Sequence, residues 1–279
     1  NYAYQNDPAR VDGRETPQLD DNGDGVANSD DGLLSYQTLL TTERPLSTDI
    51  NWDGRVDILD ISLVTREWQR TASNPYIDFD GNMFIDIDDV ARVALDYDRV
   101  YVDTAAAEGT GTSEFFVYPD EIVRYKDETF SVDVKITNVT DLYCYQFKLY
   151  YKTAVLTCTG VSLPPDHFLK PVNPSYILIV KLEYDNAYNA THGRVRVAVT
   201  LMADEPGKNG SGTLATISFK ATGLGSSPLH LYDVEIGDSS AEAMPVIPVD
   251  GHVNVLPLPT LTVLAEDQYG NSLTTGYVY

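Results

Sequence analysis

Twelve residues, Asp49 to Asp60, constrain this chain more than any other stretch. Oxygen-bearing side chains stand at loop positions 1, 3, 5, 9 and 12, namely Asp49, Asn51, Asp53, Asp57 and Asp60. Gly54 at position 6 allows a sharp turn, and Arg55 at position 7 needs to offer only its carbonyl. The alternation aims every second side chain at one centre, the arrangement required by Ca²⁺, a hard cation that takes roughly six to eight oxygens. The pattern recurs at an interval of 29 residues. Asp20, Asn22, Asp24, Gly25, Val26, Asn28 and Asp31 precede it, and Asp78, Asp80, Asn82, Phe84, Asp86 and Asp89 follow it in the same phase. Val26 and Phe84 are the position 7 carbonyls. The third copy is the weakest, because Met83 replaces Gly and Asn82 replaces an acid. Position 8 is apolar in Val56 and Ile85, with Ala27 in the first copy, and suits pinning a loop to a partner loop.

Each loop leads into apolar residues at helical spacing: Leu33, Leu34, Gln37 and Leu40; Ile58, Ile61, Val64 and Trp68; Val90, Val93, Ala94 and Tyr97. Repetition of loop plus one helix predicts a small all-α, EF-hand-like domain over residues 20–103 that binds two to three Ca²⁺. Residues 1–19, with Pro8, Gly13 and Pro17, read as an extended arm. Residues 104–113 have the composition of a linker. Beyond them the period changes to alternation. Phe130, Val132, Val134 and Ile136 share one face, as do Tyr145, Phe147, Leu149 and Tyr151. Further runs cover 177–180, 195–201, 214–219 and 249–255, which predicts an antiparallel β-sandwich over 114–256. Residues 257–279 read as a β-hairpin extension, marginal alone and suited to pairing with another molecule.

Net charge is −23, of which residues 1–103 carry −14 from 22 acids and 8 arginines. An acidic surface argues against nucleic acid and anionic membranes. No run of apolar residues is long enough for a membrane span. The start at Asn1, without Met or an apolar leader, fits a processed secreted protein. Three sequons, at Asn138, Asn189 and Asn209, fit the same extracellular setting. In an oxidising compartment Cys144 and Cys158, on neighbouring strand-like runs, are expected to form a disulfide adding about 3 kcal/mol. The alternative is two buried thiols. His167, His192, His230 and His252 are scattered without ligand spacing, and no hydrolase or phosphate-loop motif is present. The dense acidic clusters already have a metal role, so no enzyme activity is expected.

The loop–helix repeats resemble dockerin modules, which carry Asp at positions 1, 9 and 12 with a helix after each loop. Residues Asp49–Arg70 are the closest match, and Asp78–Tyr97 follow as dockerin duplications do. Residues 115–255 resemble a cohesin domain, a jelly-roll sandwich that binds dockerins. The stretch from Val139 to Leu156 and the segment Leu214-Ala-Thr-Ile-Ser-Phe-Lys220 carry that likeness. The resemblance implies that loop positions 10 and 11 face the partner: Ser29-Asp30, Ile58-Leu59 and Ile87-Asp88. Ile58-Leu59, the most apolar pair, is the expected contact, unless both residues fill their own module's core. A chain with plug and socket implies head-to-tail self-assembly into a filament, tube or surface layer. The alternatives are a cellulosome-like adaptor for another cohesin- or dockerin-bearing protein, and a carbohydrate-binding or adhesion protein.

Overall fold

The computed structural model describes residues 48–72, 74, 76–100 and 113–259. The chain divides into two compact units between residues 105 and 106. The arm, the first repeat with its ligands Asp20 to Asp31, and the C-terminal hairpin beyond residue 259 lie outside the described residues.

In the first unit the described helices are α1 (Ile58–Thr65) and α2 (Ile87–Leu95). Both begin with the last residues of a predicted loop. Asp57 Oδ1 accepts from Leu59 N at 2.9 Å, and Asp60 Oδ2 accepts from Asp57 N at 2.9 Å. Asp86 and Asp89 repeat this reciprocal cap. It satisfies helix-start N–H groups that would otherwise lack partners. Trp68, expected on α1, lies in the turn beyond it. The apolar residues at position 8 cross over. Val56 N donates to Arg99 O, beyond α2, while Ile85 N donates to Arg70 O, beyond α1. Each loop is therefore tied to the segment after the other helix, not to the other loop.

Among the described residues the second unit is a sandwich of ten strands. They are β1 (Glu114–Tyr118), β2 (Glu121–Tyr125), β3 (Thr129–Lys152), β4 (Leu156–Ser162), β5 (Ile177–Asp185), β6 (His192–Leu201), β7 (Lys208–Ala221), β8 (Gly225–Asp238), β9 (Ile247–Val249) and β10 (Gly251–Leu256). The two alternating runs around residues 130 and 145 are one strand of 24 residues. Its first half pairs with β1 and β7, and its second half with β6 and β8. Register shifts between Ile136 and Leu142 separate the halves, which belong to opposite layers. The layers run β9-β1-β3-β7-β4 and β5-β6-β3-β8-β10-β2. The sandwich is not wholly antiparallel: β1 pairs with β9, and β10 with β2, in parallel.

Phe115, Phe147, Tyr145, Tyr151, Phe219 and the predicted aliphatic runs fill one core. The buried tyrosines keep their hydroxyls paired, as burial demands. Tyr145 Oη donates to Leu214 O at 3.1 Å, and Tyr143 Oη to Ala203 O at 2.9 Å. Burial pushes the Tyr145 hydroxyl well above the usual phenol range.

Three of the four open edges, at β4, β2 and β9, are blunted. Asn186, just after β5, takes the place of a strand partner for β4: Cys158 N donates to its Oδ1 at 2.9 Å, and its Nδ2 donates to Cys158 O at 3.0 Å. On β2, the Arg124 guanidinium donates to Val123 O, and the Glu128 carboxylate accepts from Tyr125 N. β9 has Pro248 at its centre and so lacks an N–H there. Such devices keep sheets from adding foreign strands. No helix among the described residues is long and apolar enough to cross a membrane.

Candidate calcium loops and a candidate docking face

In the loop from Asp49 to Asp60, side-chain oxygens hold the backbone in a tight coil. Asp60 Oδ1 accepts from Ile50 N at 2.7 Å and Asn51 N at 3.2 Å. Asp49 Oδ2 accepts from Gly54 N, Asn51 Oδ1 from Asp53 N, and Asp53 Oδ1 from Arg55 N. The loop from Asp78 to Asp89 repeats the pattern. Asp89 Oδ1 accepts from Phe79 N, Asp78 Oδ2 from Met83 N, Asp80 Oδ1 from Asn82 N, and Asn82 Oδ1 from Phe84 N.

Two observations show that these donor sets fit a cation. Asp49 Oδ1 is buried without a hydrogen-bond partner. In the other loop, Asp78, Asp80 and Asp89 each offer a carboxylate oxygen within 4.8 Å of the others. Electrostatics agree. Burial, then the charge of Asp53, raises the Asp49 carboxyl above its usual range. Burial, then the charge of Asp57, pushes Asp60 up to about 8. A bound divalent cation would offset the like-charge repulsion and supply the missing partner.

Positions 4 and 6 of both loops take left-handed backbone. Trp52 has φ +63° and Gly54 +90°, while Gly81 has +74° and Met83 +66°. Each loop thus has one glycine where two would relieve strain. We expect Met83→Gly to stabilise the second described loop by about 1 kcal/mol, read as a higher melting temperature in calcium. An unchanged or lower value would show that the Met side chain matters more than its backbone.

The expected contact pair, Ile58-Leu59, is corrected by the structure: both are buried and fill packing. The equivalent residues of the other repeat differ. Ile87 is 57 % and Leu95 75 % exposed, and with exposed Ala91 they form a stripe at i, i+4 and i+8 of α2, beside exposed Asp88 and Arg92.

The expected disulfide is also corrected. Cys144 and Cys158 are both buried, and no disulfide joins them. Cys158 belongs to the core, whereas Cys144 alternates against the core residues Tyr143 and Tyr145 and so points to the other side of its layer. Burial pushes the Cys158 thiol up to about 11. The histidines remain scattered. His230 Nδ1 lies 2.7 Å from Asp250 Oδ2, and His252 Nδ1 lies 3.6 Å from Glu121 Oε2.

One sheet face combines features that the sequence did not bring together. Register places Lys148 opposite Arg196 and Tyr232, and Tyr150 opposite Arg194 and His230, on the side of β5-β6-β3-β8 away from the core. Tyr150 packs on Tyr188 at 5.4 Å and on Tyr232 at 5.7 Å between ring centroids. The Arg194 guanidinium stacks on Tyr188 at 4.2 Å. Burial, then its hydrogen bond with Tyr188, pushes the Tyr150 hydroxyl up to about 12. Tyr188 and Tyr232 remain 40 % and 53 % exposed. Lys148 pairs with Asp233 at 2.8 Å and Arg196 with Glu183 at 2.9 Å. With Lys152 and Lys181, this face holds five of the eleven lysines and arginines of residues 104–279. Exposed tyrosine beside arginine is the composition of protein-contact surfaces.

Among solved structures, the chain is similar to a non-cellulosomal cohesin from the archaeon Archaeoglobus fulgidus, at 19 % identity and TM-score 0.39, covering 52 % of this chain and 92 % of that one. It is similar to a type II cohesin domain from the cellulosome of Acetivibrio cellulolyticus, at 16 % identity and TM-score 0.43, covering 52 % and 96 %. A type I cohesin from Pseudobacteroides cellulosolvens gives 13 % identity and TM-score 0.41, covering 55 % and 98 %. No curated protein matches. The family model of the cohesin domain matches residues 119–255, so the sandwich of this chain is a cohesin domain.

Proposed function

We propose that the chain is a non-catalytic, extracellular docking subunit with a calcium-shaped, dockerin-like plug and a cohesin socket. The observation that carries this reading is the presence of both in one chain: in-phase acidic loop–helix repeats, and a sandwich that matches the cohesin domain. The socket surface is the tyrosine- and arginine-bearing face of β5-β6-β3-β8. The plug surface is the exposed stripe Ile87–Ala91–Leu95. Charge supports their union, since residues 1–103 carry −14 and the face concentrates the bases of its unit. Docking of one copy's plug into the next copy's socket is a heterologous contact, which closes into rings or runs on as filaments. The blunted edges at β2, β4 and β9 disfavour strand addition there and so favour face docking among the described residues.

The cohesin match favours one further reading, an adaptor whose socket takes the dockerin of another secreted protein. Sedimentation and electron microscopy in millimolar calcium, with and without chelator, separate the two. Polymers that disperse on chelation support self-assembly. Monomers that retain a different secreted protein in a pull-down support the adaptor. Monomers that bind polysaccharide with or without calcium would point to a carbohydrate-binding protein and overturn both. Within the docking reading, Leu95→Glu is expected to weaken association at least tenfold, as titration calorimetry or sedimentation would measure, with little change in melting temperature. Undiminished association would remove α2 from the plug surface.

A further inference from the structure

The three sequons are not equivalent once folded. At Asn189 the side chain is engaged: its Oδ1 accepts from Thr191 N at 2.9 Å, Thr191 Oγ1 at 3.2 Å and His192 N at 2.8 Å. The Thr191 hydroxyl also meets His192 Nδ1 at 2.8 Å. At Asn209 the Oδ1 accepts from Asp141 N at 2.9 Å, tying β7 to β3. The hydroxyl of that sequon, on Ser211, accepts from Asn138 N at 3.1 Å. In both, the carboxamide plane and the hydroxyl needed for recognition are committed to native hydrogen bonds.

Asn138 differs. It sits at the irregularity of β3 between Ile136 and Val139, with left-handed φ of +54°. Its backbone is held from both sides, the N–H by Ser211 Oγ and the carbonyl by Ser113 Oγ at 3.1 Å. The side chains of Asn138 and Thr140 are exposed, and among the described residues neither has a hydrogen-bond partner. The bulge fixes the backbone and leaves the carboxamide and its paired hydroxyl available to a transferase and to a bulky polar group.

We propose that Asn138 is the preferred N-glycosylation site of the folded chain, an inference that rests on the extracellular reading. The donor class is an oligosaccharide linked through phosphate or pyrophosphate to a polyprenol. Asn138 Nδ2 forms the new bond to the anomeric carbon, the bond from that carbon to the phosphate oxygen breaks, and the Nδ2 proton is lost as the polyprenyl phosphate, or the polyprenyl pyrophosphate of a pyrophosphate-linked donor, departs. Asn138 precedes the crossing of β3 from one layer to the other, whereas Lys148 follows it. A glycan on Asn138 is therefore attached in the layer opposite the docking face.

The test is glycopeptide mapping of the full chain purified from its own host, with intact mass alongside. We expect higher occupancy at Asn138 than at Asn189 or Asn209, loss of that mass in Asn138→Gln, and calcium-dependent association of that variant within twofold of wild type. Glycan on Asn189 or Asn209 with a bare Asn138 overturns the site assignment and leaves the extracellular reading standing. An unmodified chain recovered from the growth medium overturns glycosylation alone. An unmodified chain confined to the cell interior overturns both.

Discussion

Chelation of calcium is expected to unfold the loop–helix unit while the cohesin domain stays folded. A site at about one hundred times its Kd contributes about 2.7 kcal/mol. The two described loops together would supply about 5 kcal/mol, comparable with the whole stability of a small domain. Helices of 8 and 9 residues do not persist alone in water. Circular dichroism should show the helical signal lost, and limited proteolysis should cut first within residues 48–100, with the sandwich resistant. The pH response of the calcium-free protein follows from Asp60. Its carboxyl titrates near 8 when folded and near 4 when unfolded. The folded state therefore holds the proton across that window, and stability falls as pH rises from about 4 to about 8. Calcium requires the ionised carboxylate, so its addition should help most at the upper end. A calcium-free sample that keeps full helical signal and protection at pH 8 would remove the metal from the account.

The second large effect is expected at Asn186. Its side chain bonds Cys158 N and Cys158 O and accepts from Tyr151 Oη at 2.6 Å. Asn186→Ala strands three polar groups in a mostly buried setting, and each such loss costs about 1–3 kcal/mol. We expect a loss of about 3–5 kcal/mol, which for a domain of this size lowers the melting temperature by roughly 6–20 °C. Asn186→Asp keeps the acceptor and loses the donor to Cys158 O, so its loss should be intermediate. The alanine variant should also aggregate more readily, because the β4 edge is uncovered. A melting temperature within a degree of wild type would show that the bridge contributes little.

The coiled turns and capped helix starts were legible because their signals are local: turn residue, side-chain acceptors and helix start fall within twelve residues. The core was legible wherever alternation ran unbroken. The β8 strand was missed because its alternation is interrupted where the pairing shifts between Gln146 and Lys148 of its neighbour. The cysteine pairing failed for a reason the sequence did contain. Cys144 is out of phase with Tyr143 and Tyr145, which the core takes, so it cannot reach a residue inside it. The contact pair failed for the opposite reason. Ile58 and Ile87 occupy the same loop position, and nothing in a repeat says which copy is buried. The docking face was beyond sequence reading altogether. Tyr150, Tyr188, Arg194 and Tyr232 come from three strands and a loop, and only strand register brings them together.

The long β3 strand has a mechanical consequence. Its second half forms the middle of the proposed socket, and its first half runs through the opposite layer, with a bonded neighbour on each side in both places. Tension applied at the socket would enter this strand and load its flanking ladders in shear, many bonds at once, instead of peeling them one by one. Were subunits linked by the docking proposed above, the joint would be expected to part before the sandwich tears, and free calcium, by shaping the plug, would then be expected to set the tensile strength of the series.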